Sequence, residues 1–363
     1  MKITSEVPKK KDKPKTLKIP VLLSLFLSIG IIIVILYFTF DVQTLNYLRS
    51  SNIRYEFFLA ALGVNFVYLF IWALRQKILA DSLDTSIKLP VWESTKIIFA
   101  NLFLANITPS MAGGEPVRIH LLQKNGLSLG ASTAAVFSGR LLDAIFLLIS
   151  VPFSMWVYRQ TVGIESIQIG LTIAIILFLI AVGLLIYAIK NHEKTKAFLI
   201  WVNLKINKLF KRKKDTHYMI ASINKEVDAF HDGMVFFVTK GKLSFLFAFG
   251  LTVLFWGVGW IIPFFILLGL GQPPQLFHVI AAQILLIIIV MMPTTPGSAG
   301  ITEGGMAALY SVFVTTTSII GIFIVLYRLI TYYSGLILGA IFQYRIFKSV
   351  VSFSLEAIAK EDE

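Results

Sequence analysis

Apolar residues along this chain gather into long unbroken runs separated by short polar breaks, and the lengths of the runs set the first expectation. A helix rises about 1.5 Å per residue, so about 20 apolar residues cross the hydrocarbon core of a bilayer. Six runs meet that length: Ile19 to Phe40, Phe57 to Leu74, Ala131 to Val157, Ile167 to Ile189, Leu243 to Leu270 and Ile319 to Phe342. Each predicts a transmembrane helix. The first run is too long for the apolar part of a signal peptide, and Phe40-Asp41-Val42 offers no small-residue cleavage site, so it is expected to remain as an anchor.

Two further runs, Ile97 to Met111 and Val279 to Met292, are shorter and end in Pro- and Gly-rich breaks, Thr108-Pro109-Ser110-Met111-Ala112-Gly113-Gly114-Glu115 and Pro293-Thr294-Thr295-Pro296-Gly297-Ser298-Ala299-Gly300. Each reads as half of a re-entrant hairpin, with tips at Pro109, Ser110, Gly113 and Gly114 and at Pro296, Gly297 and Gly300. Backbone opened at such a break is tolerated at membrane depth only where protein or a wet cavity satisfies it. The alternative is an ordinary kinked span, since Pro is common in membrane helices.

The two breaks are related by a constant shift. Glu303 follows Glu115, and Arg328 follows Arg140, by the same 188 positions (303 − 115 and 328 − 140). The shift also maps Ser110 onto Ser298 and Phe57 onto Phe245. Three crossings lie between the starts of the two copies, an odd number, so the second is expected upside down, as in many secondary transporters. The expected fold is an all-α polytopic membrane protein with six full transmembrane helices plus two re-entrant hairpins in an inverted repeat. Its parts are a basic tail (1–18), one membrane domain (19–348) and a short tail (349–363). Repeat one covers about 57–189, a loop 190–242, and repeat two about 243–345.

Charge fixes the orientation. Lys2, Lys9, Lys10, Lys11, Lys13, Lys15 and Lys18 precede the first run, and the loop from Lys190 to Lys242 carries Lys211-Arg212-Lys213-Lys214. By the positive-inside rule both face the cytoplasm, and six crossings return the C-terminus, with Arg345 and Lys348, to that side. Within the loop, Leu199, Val202, Ile206 and Phe210, then Met219, Ile223, Val227, Phe230, Met234 and Phe237, recur at helical spacing. Both stretches are expected to lie on the anionic inner leaflet.

Composition agrees with a lipid solvent: 56% of the 363 residues are hydrophobic and 15% charged, far from the quarter or so charged in soluble domains. The net charge of +13 sits in segments flanking apolar runs, with no basic folded module, so nucleic acid is not an expected partner. No cysteine is present, and the five histidines show no His-Glu-x-x-His spacing. Gly241-Lys242 is followed by Leu243 and belongs to no phosphate-binding loop. No metal, cofactor or enzymatic activity is expected.

The chemistry available lies in charges within apolar surroundings. A charge at the bilayer centre costs at least about 2.5 to 3.5 kcal/mol, so such residues pair or face a polar cavity. Glu115 with Arg140 and Glu303 with Arg328 are the expected pairs. Arg118 and Asp143 add a second layer in repeat one alone, because Met306 and Thr331 hold the matching positions in repeat two. A helix starting at the break offers free N–H groups to a phosphate, and Arg140 and Arg328 can grip phosphate oxygens bidentately. Glu115, Arg118, Arg140, Asp143, Glu303 and Arg328 are therefore the candidate substrate-binding residues. The bland alternative is a set of structural salt bridges clamping hairpin to span. Trp256 and Trp260 read as interface or packing residues.

The run Asn106-Ile107-Thr108-Pro109-Ser110-Met111-Ala112-Gly113-Gly114-Glu115-Pro116-Val117-Arg118, with Gly139-Arg140-Leu141-Leu142-Asp143 and Pro293 to Glu303, resembles the flippase-like family typified by the transmembrane part of lysylphosphatidylglycerol synthase. The resemblance extends over roughly residues 20 to 345 and implies a lipid substrate moved between leaflets. The synthase carries a large aminoacyl-transferase domain after its membrane part, whereas Ser349 to Glu363 is all that follows here, so lysyl transfer is not expected. The expected function is translocation of an anionic phospholipid or lipid-linked headgroup across the cytoplasmic membrane. Its rivals are an accessory subunit or transferase in lipid modification or lipid-linked glycosylation, and a small-solute or ion transporter.

Overall fold

The computed structural model describes residues 53–84, 86–108, 113–158, 186–209, 216–290, 297–314 and 319–342, with single positions 30, 33, 46, 49, 172, 176, 179, 180, 183, 184 and 295 between them. The expected first span, most of the run Ile167 to Ile189, the Lys211 to Lys214 cluster and both tails lie outside these residues, as do Pro109, Ser110 and Pro296.

Every element among the described residues is helical. In chain order they are α1 (Tyr55–Leu83), α2 (Val91–Ile107), α3 (Gly114–Lys124), α4 (Leu129–Tyr158), α5 (His192–Leu209), α6 (Thr216–Val238), α7 (Lys242–Gly269), α8 (Leu276–Val290), α9 (Ile301–Tyr310) and α10 (Ile320–Phe342). The helices α1, α4, α7 and α10 are long and apolar enough to cross a membrane. Their outer faces expose Leu59 and Phe70 on α1, Ile149 and Trp156 on α4, and Leu246 and Phe247 on α7, a surface that lipid rather than water would cover.

The helix starts at 55, 91, 114 and 129 recur at 242, 276, 301 and 320, within about four residues of the 188-position shift. The leading helices of the two sets lie side by side. Arg54 N–H donates to Gly269 C=O, Phe57 stacks on Phe265, Tyr68 stacks on Phe255, and Arg75 donates to Thr252. Rising numbers on α1 meet falling numbers on α7, so these two helices run antiparallel.

Each short pair is an antiparallel hairpin. In the first, Ala105 faces Gly114 at the closed end, and Ile97 and Ala100 share a core cluster with Leu121 and Leu122 at the open end. In the second, Leu286 faces Gly305 near the turn and Gln283 Nε2 donates to the Tyr310 hydroxyl at 2.8 Å. Two differences from the sequence expectation stand out. The apolar run ending at Leu74 continues as helix to Leu83, so Arg75 and Gln76 fall inside α1 rather than beyond it. The second amphipathic stretch of the loop, α6, packs against α4 through Ser138 with Met234, Phe137 with Phe230 and Glu226 with Gly130 N–H. Its Val227, Met234 and Phe237 are buried by protein, leaving α5 as the exposed member of the pair.

Candidate functional site

The hairpin closures place the charges. Thr108 ends α2 with its hydroxyl donating to Leu104 C=O at 2.7 Å and accepting Gly113 N–H at 2.9 Å, which ties the two ends of the first break together. The second break is left-handed backbone: Gly297 at φ 61°, Ser298 at 51° and Gly300 at 86°. At Gly297 a side chain has no room, because a Cβ would lie 2.8 Å from Asn106 C=O and 2.6 Å from the Tyr332 ring. The two tips meet there, with Gly297 N–H to Thr108 C=O at 3.4 Å, and α10 joins them through the Tyr332 hydroxyl, which donates to Asn106 C=O at 3.3 Å.

Beside each tip the structure brings together the Glu and Arg that share the shift. Arg140 on α4 is ion-paired with Glu115 in the first turn of α3. Arg328 on α10 donates through Nε to Glu303 at 2.7 Å. The two pairs differ in surroundings. Glu303 is fully buried and Arg328 is 4% exposed, whereas the Arg140 side chain is 42% exposed and Glu115 18%. Glu303 also accepts Gly300 N–H at 2.6 Å, and Arg328 donates to Gly297 and Ser298 carbonyls at 3.3 Å. Repeat two thus has a sealed clamp that holds its own tip, and repeat one has a pair at an open rim. A π-turn, Leu329–Tyr333, follows Arg328 directly and interrupts α10 where α4 is continuous.

Arg118 and Asp143 sit beneath the open pair, as the second layer requires, but neither is the other's partner. Asp143 pairs with Arg75, its Oδ1 2.5 Å from Nη1 and its Oδ2 3.2 Å from Nη2, a two-pronged contact between buried groups. Trp256 Nε1 donates to Asp143 at 3.0 Å, and the Thr252 hydroxyl accepts from Arg75 at 3.1 Å, so α7 of repeat two completes a site of repeat one. Arg118 donates to Gln76 Oε1 and lies over the Trp72 ring, 5.5 Å from its centroid. Four contributors, Arg75, Gln76, Thr252 and Trp256, were absent from the sequence-derived set. Arg75 and Gln76 carried a signal, since they are polar residues directly abutting an apolar run; Thr252 and Trp256 sit unremarkably inside one.

Repeated spans around a buried charged centre define a multi-pass membrane protein. Comparison with known proteins agrees: the chain belongs to the family of the lysylphosphatidylglycerol synthase TM region, which matches residues 21–339. It is similar to a UPF0104 membrane protein of Archaeoglobus fulgidus, 30% identical over 332 residues that cover 90% of this chain and 98% of that one. A UPF0104 membrane protein of Pyrococcus horikoshii is 25% identical over 344 residues, 92% of this chain and 99% of that one. One of Methanothermobacter thermautotrophicus is 25% identical over 297 residues, 79% and 82% respectively. No solved structure matches the chain.

Proposed function

We propose that this protein moves an anionic phospholipid or lipid-linked headgroup between the leaflets of the cytoplasmic membrane. The observation that carries the reading is the meeting of two hairpin tips beside a charged centre, between leading helices that run antiparallel. Inverted repeats with broken helices meeting at depth are the architecture of carriers that expose one site to alternate sides. Family membership adds the lipid. The near-equivalent Glu and Arg pairs suit alternating access better than acid and base groups converging on one bond, so the protein is read as a carrier without enzymatic activity of its own.

In this reading six helices cross, the α2/α3 hairpin enters from the cytoplasm and returns, and the α8/α9 hairpin does the same from outside. Both termini and the basic loop are cytoplasmic. α5 exposes Phe198, Leu199, Trp201 and Leu204 and carries Lys194, Lys196 and Lys205, the combination that rests on anionic headgroups. The test is reconstitution into liposomes with fluorescent phosphatidylglycerol and an impermeant quencher. Faster loss of the protected inner-leaflet signal than in protein-free liposomes is expected. Movement of ions or small solutes with no lipid movement would replace the reading with that of a solute transporter.

A further inference from the structure

The charge count around Gly139 does not close. Among the described residues Arg75, Arg118 and Arg140 approach one another, and Glu115 and Asp143 are the carboxylates paired with them, so three guanidiniums face two carboxylates. Arg118 is the one left over. It is 1% exposed, and its contacts are the neutral Gln76 amide and the Trp72 ring. A buried charge without a counterion is costly, and the described residues of repeat two show none, because Glu303 and Arg328 cancel.

The hydrogen-bond inventory points the same way. Trp72 Nε1, Arg75 Nε, Gln76 Nε2 and Arg118 Nε are buried without an acceptor among the described residues. All four are donors, and all belong to this one cluster. Buried donors that lack acceptors call for a group rich in acceptor oxygens. Gly139 faces the cluster directly: a Cβ there would lie 3.7 Å from Arg75 Nη2, 3.9 Å from Arg118 Nη2 and 3.6 Å from Leu79.

We infer that the Arg75/Gln76/Arg118 cluster holds one singly charged tetrahedral oxyanion, a lipid phosphodiester, against the bare face of Gly139, and that repeat two holds none. The identity of the anion as lipid rests on the translocation reading; the anion itself does not. The one excess positive charge selects a monoanion such as phosphatidylglycerol over a zwitterion, whose ammonium cancels the phosphate, and over dianionic or pyrophosphate headgroups, which would overcharge the site. Arg140 and Glu115, exposed at the rim, form the pair an entering headgroup displaces.

Two substitutions remove the site without removing an arginine. Gly139→Ala sets a methyl in contact with both guanidiniums, between them and an anion, without a clash and with improved helix propensity. Gln76→Glu places a carboxylate where the amide already accepts from Arg118, so the protein supplies its own counterion. The full chain is placed in dioleoylphosphatidylcholine nanodiscs, dioleoylphosphatidylglycerol is titrated into the lipid, and the unfolding midpoint is followed. The wild type is expected to gain stability with phosphatidylglycerol. Both variants should fold with midpoints at or above wild type in phosphatidylcholine alone and respond to phosphatidylglycerol roughly tenfold more weakly or not at all. If Gln76→Glu does not fold, Gly139→Ala decides alone.

An undiminished response in Gly139→Ala, or no response in the wild type, overturns the inference. Sodium phosphate added to phosphatidylcholine discs separates the sources: an equal stabilisation that the same variants lose would make the ligand a free anion and overturn the lipid assignment. Liposome translocation is measured on the same preparations. Intact phosphatidylglycerol binding without translocation removes the carrier reading and leaves the site standing, whereas translocation with no anion response removes the site alone.

Discussion

Replacing Arg328 by Gln and, separately, Arg140 by Gln tests whether the two related ion pairs have different energetics, as their surroundings require. With Arg328→Gln, the fully buried Glu303 keeps Gly300 N–H as its surviving donor and loses its charge partner, and the Gly297 and Ser298 carbonyls lose theirs. Breaking a buried pair by removing one member costs about 3 to 5 kcal/mol. At about 2 °C per kcal/mol for a large chain, the unfolding midpoint should fall by roughly 6 to 10 °C. Arg140→Gln leaves Glu115 at an open rim and in the first turn of α3, where solvent and the helix N-terminus stabilise its charge. There the cost should be about 1 kcal/mol or less. The double variant Glu303→Gln with Arg328→Gln should recover much of the single loss, because no uncompensated charge remains. The assay is thermal unfolding of detergent-purified variants at one scan rate, since membrane proteins commonly unfold irreversibly. Equal losses from Arg140→Gln and Arg328→Gln would refute the distinction between an open and a sealed pair. Lipid movement gives the complementary result: Arg140→Gln should be stable and inactive, and Arg140→Lys should restore little because an ammonium lacks the bidentate fork.

Other expectations follow from single features. Gly297→Ala should cost about 1 to 3 kcal/mol, seen as a lower unfolding midpoint, because a Cβ there meets Asn106 C=O at 2.8 Å and the φ of 61° is unfavourable for Ala; a neutral result would show that the tips can separate freely. Since the chain lacks cysteine, single cysteines at Lys213, Asn46 and Gly163 report topology directly; impermeant labelling in intact cells should spare position 213 and reach the other two, and labelling at 213 would invert the orientation. The ion pairs of α5, Lys196 with Glu193 within the helix and Lys196 with Asp228 of α6, should depend on pH at both extremes. The hydrogen bond from Lys196 holds the Glu193 carboxyl below its usual 4.5, so its contribution is full above that value and is lost as pH falls through the lower folded value. Hydrogen bonds to Asp228 and then Glu193 hold the Lys196 ammonium above its usual 10.5, so its contribution is full below that value and is lost as pH rises further. Amide exchange on α5 should accordingly stay flat between about pH 5 and pH 10, and a step inside that window would refute the assignment of the pH dependence to these pairs.

The membrane class, four of the long helices and the Glu–Arg pairing were legible because each leaves a one-dimensional mark: a run length, a break, a constant shift. What the sequence concealed depended on the partner. Arg75 and Gln76 close an apolar run, a place where polar residues ordinarily meet the interface, and only Asp143, 68 positions away, and Arg118 make them interior. Periodicity on α6 marks an apolar face without saying whether lipid or α4 covers it, and Met234 against Ser138 shows that protein does. Exposure was equally hidden. Glu115 and Glu303 occupy the same register, yet the sequence offers no sign that one is sealed and the other half open.

That difference has a physical consequence for movement. The tips share the hydrogen bond from Gly297 to Thr108, and Tyr332 of α10 donates to Asn106, so the first hairpin cannot swing without breaking contacts to both the second hairpin and α10. Arg328 adds to this by holding the Gly297 and Ser298 carbonyls while it neutralises Glu303, which ties the charge state of the sealed site to the backbone of its tip. α7 links the halves a second time, because Thr252 and Trp256 of repeat two bind Arg75 and Asp143 of repeat one. Moving the tip that Arg328 holds therefore disturbs the first hairpin through Gly297 and Thr108, while Thr252 and Trp256 join the two repeats at a separate place. If the protein is the carrier proposed above, the coupling between its halves rests on Gly297, Tyr332, Thr252 and Trp256 rather than on the charged residues that the repeat makes conspicuous.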